Sequence, residues 1–298
     1  MTFPASAPSL ADDLALALAL AADADLIAID RYRAQDLDVQ LKPDRTHVTD
    51  ADTRVETVIR EELARARPGD AILGEEFGGS IGGSSNAGIG TGIAAGSTAN
   101  VDAGTTDGAT PSRVWIIDPI DGTSNFVRGV PIWGALISLV IDGVPQVGVV
   151  SAPALGRRWW GATGHGAWVQ VGTEAARRIR VSGVDNLADA TLSYNSLKGW
   201  DDAGRSPQLL ALSRAVGRTR AFGDLWSYML VAEGAIDVAG EFDVKPWDIA
   251  ALVPIVREAG GRASDADGVE TLESGSVLVS NGILHDRVLS LIASDQSS

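Results

Sequence analysis

The first part of the chain contains two stretches in which apolar and acidic residues are combined as in amphipathic helices. Apolar residues dominate Leu14–Leu26 and acidic residues interrupt them, which predicts a first helix from Ala11 to about Arg33. Thr49 followed by Asp52 is typical of a capping box, and the spacing after it predicts a second helix from about Asp50 to Arg67.

Short apolar runs then predict buried strands, and two pairs of these runs are joined by hairpin signals rich in glycine. The predicted strands are Ala71–Leu73, Val114–Ile117, the pair Ala135–Ile141 and Val147–Ser151 joined through Asp142-Gly143, and the pair Trp159–Trp160 and Ala167–Val171.

Residues 78–112 differ from both neighbours, because Gly, Ser, Ala and Thr dominate and there is no Lys, Arg or periodicity. Such a segment buries too little apolar surface to offset its ordering entropy. We therefore predict a flexible insert or surface loop, with a mobile flap over the active site as the alternative.

The second half alternates between strand and helix patterns, which indicates a βαβ-type arrangement. The predicted elements are a strand at Thr191–Ser193, helices at Leu209–Val216 and Asp224–Glu233, a strand at Ile236–Ala239, a helix at Trp247–Ala259, a strand near Val277–Ser280 and a helix at Ile283–Ala293. We expect an α/β (α+β) protein with two packed subdomains, residues 1–183 and residues 184–298.

Composition narrows the chemistry that is available to this fold. The 298 residues carry a formal net charge of −15, which argues against a nucleic-acid surface. The absence of cysteine excludes disulfides, thiolate zinc sites and cysteine nucleophiles, and three histidines are too few for histidine-rich metal sites. Carboxylates remain, and their natural partners are hard cations. No export signal or membrane span is apparent, so we expect a cytoplasmic protein.

Three acidic clusters follow predicted strands or open a predicted helix. They are Glu75-Glu76, the motif Asp118-Pro-Ile-Asp121-Gly122-Thr123, and Trp247-Asp248. Asp118 and Asp121 flank Pro119-Ile120, so we expect both carboxylates to converge from a tight turn, with the Ile120 carbonyl directed inward. A helix beginning at Gly122-Thr123 would favour a phosphate. Carboxylates around such a helix start match Mg²⁺ sites for phosphoryl chemistry.

Each cluster also has a plainer interpretation. Asp52 and Asp248 could simply cap their helices, and Glu75-Glu76 could be a solvated turn. Asp118 fits such an interpretation poorly, because it directly follows a buried apolar run.

These motifs, in this order, resemble the inositol monophosphatase family. The resemblance rests on Gly74-Glu75-Glu76, the stretch Trp115 to Phe126, Trp247-Asp248-x-Ala250 and Glu258-Ala259-Gly260-Gly261, with Val48 to Asp52 as an upstream element. It covers about residues 10–292 and is interrupted only by residues 78–112.

The resemblance implies a layered αβαβα sugar-phosphatase fold, a homodimer and Mg²⁺-dependent hydrolysis of a phosphate monoester. Glu75, Asp118 and the Ile120 carbonyl would hold the first Mg²⁺, and Asp118, Asp121 and Asp248 the second. Glu75 would help to hold a third. Thr123 and Asp52 would orient the attacking water, so that Thr123, Asp52 and Glu75 act in catalysis. The Gly122 and Thr123 N–H groups would bind the phosphate.

A narrower resemblance rests on Gly74–Gly79, Asn125–Pro131, Ser151–Trp160, Tyr228–Ala235 and Ser280–Gly282. These segments are similar to those of the histidinol-phosphate phosphatases within the family. Asp224 stands where many members carry a neutral residue, and Glu241 is a second substrate-side acid, with Asp121 nearby. These acids suit a cationic substrate, although Asp224 could also cap its helix. Ser124 is a departure, because a lysine is expected there in this subgroup.

We therefore expect hydrolysis of L-histidinol phosphate to L-histidinol and phosphate, in histidine biosynthesis. The alternatives are an inositol-1-monophosphatase or broad sugar-phosphate phosphatase, and a pseudoenzyme that only binds divalent cations. The expected partners are a small phosphate ester and a second copy of the chain, not nucleic acid or a membrane.

Overall fold

A computed structural model describes residues 8–43, 45–81, 84–85 and 112–293. The prediction of an irregular segment beginning at residue 78 is wrong at its start. Gly78–Ile81 is a strand that pairs with the preceding strand, and Ser84–Ser85 extends the sheet by a further short strand. Both strands consist mainly of glycine and serine, so the sequence shows no alternation of apolar and polar residues there, and the strands are identified by their backbone pairing. The rest of the predicted insert lies outside the described residues.

The helices agree closely with the hydrophobic spacing at both ends of the described chain. They are α1 Leu10–Arg31, α2 Asp50–Ala66, α3 Thr123–Arg128, α4 Leu197–Asp202, α5 Ser206–Ala215, α6 Asp224–Ala232, α7 Pro246–Ile249, α8 Leu252–Glu258 and α9 His285–Ala293. None of these helices combines the length and apolar character needed to cross a membrane.

The strands include every run predicted from the sequence and several shorter ones. They are β1 Val39–Leu41, β2 His47–Thr49, β3 Ala71–Gly74, β4 Gly78–Ile81, β5 Ser84–Ser85, β6 Arg113–Asp121, β7 Gly134–Ile141, β8 Val144–Ala152, β9 Arg157–Ala162, β10 Gly166–Val171, β11 Arg177–Arg178, β12 Thr191–Ser193, β13 Arg218–Arg220, β14 Val238–Phe242, β15 Arg262–Ser264 and β16 Ser276–Ser280.

Most strands of the first half form one nine-stranded sheet in the order β11-β10-β9-β8-β7-β6-β3-β4-β5. Among the described strands of this sheet, only β3 and β6 pair in parallel, which brings the carboxyl ends of both strands to one edge of the sheet. The predicted hairpin through Asp142-Gly143 is confirmed, and both turn residues have positive φ, as tight hairpins between twisted strands require. β1 and β2 form a separate small hairpin.

The second half forms a five-stranded sheet in the order β13-β12-β14-β16-β15. β12 is parallel to both of its neighbours, as expected for a βαβ arrangement, whereas β16 is antiparallel to β14 and β15. The predicted alternation is therefore confirmed for the strands on one side of this sheet.

Alternate residues of the central strands face different cores, which creates the layers. In β6, Trp115 and Ile117 pack with α1 and α2, whereas Val114 and Ile116 face the helices between the sheets. In β14, Ala239 faces those same helices and Val238 faces α5 and α9. The order is α1/α2, nine-stranded sheet, α6–α8, five-stranded sheet, α5/α9, so the αβαβα fold is confirmed. Because α6–α8 pack on both sheets, the division at residues 183 and 184 stays a prediction.

The single helix predicted at Trp247–Ala259 is wrong, because α7 ends at Ile249 and α8 begins at Leu252. Proline has no N–H and its ring clashes with the carbonyl four residues earlier. Pro254 therefore frees the Ala250 carbonyl, which accepts a hydrogen bond from Ser138 Oγ at 3.1 Å. The break leaves α7 as a separate short helix.

His285 begins α9 and is fully buried between two serines. Ser264 Oγ donates to the Asp265 carbonyl at 2.8 Å, so it accepts from Nε2–H of His285 at 2.9 Å. In a neutral ring protonated on Nε2, Nδ1 is the acceptor, so Ser280 Oγ donates to Nδ1 while it accepts from the Gly282 N–H. The network specifies a neutral ring, and a proton on Nδ1 would leave the Ser280 hydroxyl without an acceptor. Burial, together with the Arg262 charge, lowers the pKa of His285 to about 4.

We predict that His285 makes the fold sensitive to acid. Because its pKa falls from 6.5 to about 4 on folding, the unfolded chain binds the extra proton between these values. Over this window, the stability contributed by His285 decreases by about 1.4 kcal/mol per pH unit as the pH falls. Urea unfolding should therefore show the free-energy gap between the parent protein and His285→Gln narrowing from pH 6.5 to 4. Parallel pH profiles would contradict this assignment.

Candidate active site

The acidic clusters meet in one cleft of about 230 Å³ at the edge of the nine-stranded sheet. Glu75 directly follows β3, Asp118 and Asp121 lie at the end of β6, and Asp248 reaches the cleft from α7. The cleft is lined by Thr46, His47, Glu75, Asp118, Ile120, Asp121, Gly122, Thr123, Ser124, Asn125, Asp224 and Asp248.

The convergence of Asp118 and Asp121 was predicted correctly, but the tight turn was not. β6 continues through both residues with a bulge, since Asp118 pairs with Leu136 while Asp121 pairs with Gly134. A bulge re-aims side chains that would otherwise project from a regular strand. One carboxylate oxygen from each of Asp118, Asp121 and Asp248 lies within 4.8 Å of the other two.

Asp248 both caps its helix and belongs to this cluster. Its Oδ2 accepts the Lys245 backbone N–H at 2.7 Å, which is the capping role that its position suggests. A carboxylate has two acceptor oxygens, so capping with one oxygen leaves the second free to bind another partner. The plainer interpretation and the metal-ligand interpretation are therefore compatible here.

Like charges buried together dominate the electrostatics of the cleft. Burial, and after it the charge of Glu75, raises the pKa of Asp118 well above its ordinary value. Burial and the charge of Asp224 do the same to the pKa of Asp121. Burial raises the pKa of Asp248 to about 7, although the Lys245 N–H opposes the shift. Such a group of carboxylates is unfavourable alone and favourable around a cation.

The Thr123–Asp52 pair expected from the sequence comes together. Thr123 Oγ1 lies 3.4 Å from Asp52 Oδ1 and 3.0 Å from the Ile120 carbonyl oxygen. Asp52 Oδ2 accepts from the Thr49 N–H at 2.8 Å and from its hydroxyl at 2.6 Å, so Asp52 also completes the capping box of α2. Burial raises the pKa of Asp52 to about 6, against the hydrogen bonds from Thr49.

Gly122 stands where the chain must turn sharply between β6 and α3. Its φ is +80°, and a Cβ at this position would lie 2.9 Å from the Ile132 carbonyl oxygen and 3.3 Å from Asp224 Oδ2. Any side chain would therefore strain the backbone and crowd the cleft.

The Asp224 side chain lines the cleft and does not cap α6. The N-cap of α6 is Gly223, and Asp224 Oδ2 accepts from Asn125 Nδ2 at 2.6 Å. The φ of Asp224 is +45°, a conformation that costs a non-glycine residue about 1–3 kcal/mol. The suggestion that Asp224 merely caps its helix is therefore wrong.

Glu241 lies on β14 and is not among the residues that line the cleft. Its Oε1 accepts from Asn195 Nδ2 at 2.8 Å and from the Tyr228 hydroxyl. Burial raises the pKa of Glu241 to about 7, and the nearby charge of Asp224 acts in the same direction. The structure thus places Glu241, which is partly exposed, within electrostatic reach of Asp121 but outside the residues that line the cleft.

The family model for the inositol monophosphatase family matches residues 10–297. The chain belongs to the inositol monophosphatase family. The family expected from the Asp118–Thr123 motif is therefore confirmed, and the nine- and five-stranded sheets are those of an inositol monophosphatase fold.

Individual members of this family resemble the chain over nearly its whole length. The histidinol-phosphatase of Mycobacterium tuberculosis is 51% identical over 278 residues, which cover 93% of this chain and 96% of that protein. The histidinol-phosphatase of Streptomyces coelicolor is 46% identical over 286 residues, with coverages of 95% and 97%. Among solved structures, the suppressor protein SuhB of Bartonella henselae matches with a TM-score of 0.76 and 26% identity, covering 94% of this chain and 98% of that one.

The donors in this cleft fit the metal dependence of the family. Carboxylate and carbonyl oxygens are hard ligands that favour divalent cations such as Mg²⁺, Mn²⁺ or Ca²⁺. The Asp118, Asp121 and Asp248 cluster supplies such oxygens, and Glu75 and Ile120 line the same cleft.

Sequence reasoning missed Lys42, which contacts the side chains of both Glu75 and Glu76. Its Nζ lies 2.7 Å from Glu75 Oε1 and 2.8 Å from Glu76 Oε1. Burial alone would lower the pKa of Lys42, but the two glutamates raise it above its ordinary value. The only signal was an isolated lysine in an acidic chain. His47, Ser124 and Asn125 were also not assigned, although they line the cleft.

We predict that Asp118→Asn raises the thermal stability of the metal-free protein. The raised pKa of Asp118 means that its charge opposes folding at about pH 8, and asparagine removes this charge at nearly constant shape. Thermal unfolding in EDTA checks this, with the exposed Asp23→Asn as the control. A lower melting temperature for Asp118→Asn than for the control would contradict mutual repulsion within the cluster.

Proposed function

We propose that this chain is a Mg²⁺-dependent histidinol-phosphatase, which hydrolyses L-histidinol phosphate to L-histidinol and phosphate. The observation that carries the reaction type is the convergence of three carboxylates within 4.8 Å beside Thr123 and Asp52. The substrate follows from the extra acids Asp224 and Glu241, in a chain 51% and 46% identical to two histidinol-phosphatases.

Glu75, Asp118 and the Ile120 carbonyl would hold the first Mg²⁺, and Asp118, Asp121 and Asp248 the second, with Glu75 contributing to a third. When bound, these ions lower the pKa of the attacking water and neutralise charge on the phosphate and the leaving oxygen. The high pKa values of the acids in the cleft are a property of the protein without this positive charge.

Thr123 and Asp52 orient the nucleophile. When the Thr123 hydroxyl donates to Asp52 Oδ1, its lone pairs accept a hydrogen bond from the attacking water and fix the direction of attack. The two hydrogen bonds from Thr49 hold Asp52 in place. The backbone N–H groups of Gly122 and Thr123 bind the phosphate, and the absence of a Gly122 side chain keeps that approach open.

The leaving group of the proposed substrate carries an ammonium and an imidazole. Asp224 and Asp121, which line the cleft, would face these groups together with the adjoining Glu241. A neutral polyol would leave these carboxylates without a charged partner. This distinction favours histidinol phosphate over inositol 1-phosphate or a general sugar phosphate. The presence of the complete acid set and of the Thr123–Asp52 pair disfavours the pseudoenzyme alternative. The homodimer and the cytoplasmic location stay predictions.

We predict that phosphate release from histidinol phosphate requires Mg²⁺ and is lost in Asp118→Asn. Removal of a ligand shared by two ions should cost several kcal/mol of transition-state stabilisation, which corresponds to a decrease in kcat/KM of about a thousandfold. Steady-state phosphate release with Mg²⁺ and with EDTA measures both effects, and circular dichroism confirms the fold of the variant. Full activity in EDTA would contradict the proposed function.

We predict that Asp224→Asn and Glu241→Gln act selectively on the cationic substrate. Each loses a charge-assisted contact, so kcat/KM for histidinol phosphate should decrease roughly 10- to 100-fold. The value for inositol 1-phosphate should change little, because its hydroxyls can bond an amide. Asp243→Asn is the matched control, since the Asp243 side chain is 85% exposed and directly follows β14, the strand that carries Glu241. Equal losses on both substrates would assign the two acids a structural role.

A further inference from the structure

Glu56 is a buried carboxylate in α2, one helical turn after Asp52, with none of its surface exposed. Its Oε2 accepts the Glu76 backbone N–H at 2.8 Å. Its Oε1 accepts the Phe77 N–H at 3.2 Å and Arg60 Nε at 2.7 Å. Both oxygens therefore serve the turn that follows β3, and this turn contains Glu75.

The fit between Glu56 and this turn is closer than an ordinary ion pair requires. A Cβ on Gly74 would lie 2.0 Å from Glu56 Oε1, so the carboxylate occupies the space of the missing side chain. Arg60 also donates to the Gly78 carbonyl on the far side of the turn. The Glu75 N–H donates to the Ile117 carbonyl at 3.2 Å, which fixes the near side to β6.

Packing alone does not explain a buried charge at this position. Burying a carboxylate is costly, and an apolar pair of similar volume often stabilises a fold as well or better. What a carboxylate provides is a directed acceptor for two consecutive N–H groups, which restricts the backbone of Glu76 and Phe77 to one conformation. The direction of the Glu75 side chain depends on that backbone.

We propose that Glu56 is a positioning residue for the metal site, and that it acts by holding the Glu75 turn against α2. The same helix then sets Asp52, which contacts Thr123, and Glu56, which aligns Glu75. The inference rests on the proposed function, in which Glu75 is a metal ligand. Changing a residue that orients a metal ligand typically lowers metal affinity roughly 10- to 100-fold. We expect a loss of about this size when Glu56 is changed.

The test is the affinity for Mn²⁺, without substrate, measured by electron paramagnetic resonance. Glu56→Gln keeps the shape but offers one acceptor, so its amide N–H₂ must face an N–H group. We expect the affinity for Mn²⁺ to fall roughly 10- to 100-fold, and the loss in Glu75→Gln to be at least as large. The matched control is Glu61→Gln, an exposed position on the same helix, which should bind as the parent protein does.

The outcomes separate this inference from the proposed function. Parent-like Mn²⁺ affinity in Glu56→Gln, together with weak binding in Glu75→Gln, overturns the inference and leaves the proposed function standing. No Mn²⁺ binding by the parent protein overturns both proposals. Full binding by Glu75→Gln overturns the metal role of Glu75, and with it this inference, while the cluster of Asp118, Asp121 and Asp248 still supports the proposed function.

A second measurement does not depend on how well a variant folds. In the parent protein, the amide protons of Glu76 and Phe77 should exchange slowly with solvent, because the buried carboxylate accepts both. Nuclear magnetic resonance measures this exchange residue by residue. Rapid exchange at both amides in the folded parent protein would overturn the proposed clamp.

Discussion

Repulsion between carboxylates buried at one edge of the nine-stranded sheet is the constraint on which the rest of the site depends. The protein restrains each acid with a donor from its own structure. Asp118 accepts from the Ile120 N–H, Asp121 from the Leu225 N–H, and Asp248 from the Lys245 N–H, at 2.7 to 3.0 Å. Each of these bonds uses one carboxylate oxygen. These hydrogen bonds fix the acids close together but do not neutralise their charges, and this arrangement favours binding of a divalent cation.

This constraint explains why the site needs both halves of the chain. The parallel pair β3 and β6 brings two acidic strand ends to the same edge, and α7 adds Asp248 from the layer between the sheets. Asp121 also anchors the start of α6 by accepting the Leu225 N–H, so a residue of the first sheet fixes a helix of the second half. The break at Ala250 lets α7 sit apart from α8.

The parts of the fold that followed from the sequence are those with strong local signals. The Thr49–Asp52 capping box defines the start of α2, and the apolar run before Asp118 identifies β6 as a central strand. The hairpin β1–β2 was missed because its first strand is only three residues long and fully exposed, so the alternation of Val39, Gln40 and Leu41 is too short to identify a strand. Lys42 and Glu56 were missed because their contacts with the Glu75 turn join residues distant in sequence, which only the tertiary structure brings together. The roles assigned to individual site residues stay predictions.

The close contact between Gly74 and Glu56 also bears on how the sequence can change over evolutionary time. With the carboxylate 2.0 Å from the position of a Cβ, a larger residue at 74 and a glutamate at 56 exclude each other. A side chain gained at 74 would displace the Glu56 carboxylate, and the backbone N–H groups of Glu76 and Phe77 would then need another acceptor. A homologue with a side chain at position 74 should therefore lack a glutamate at position 56, whereas glycine at 74 is compatible with either.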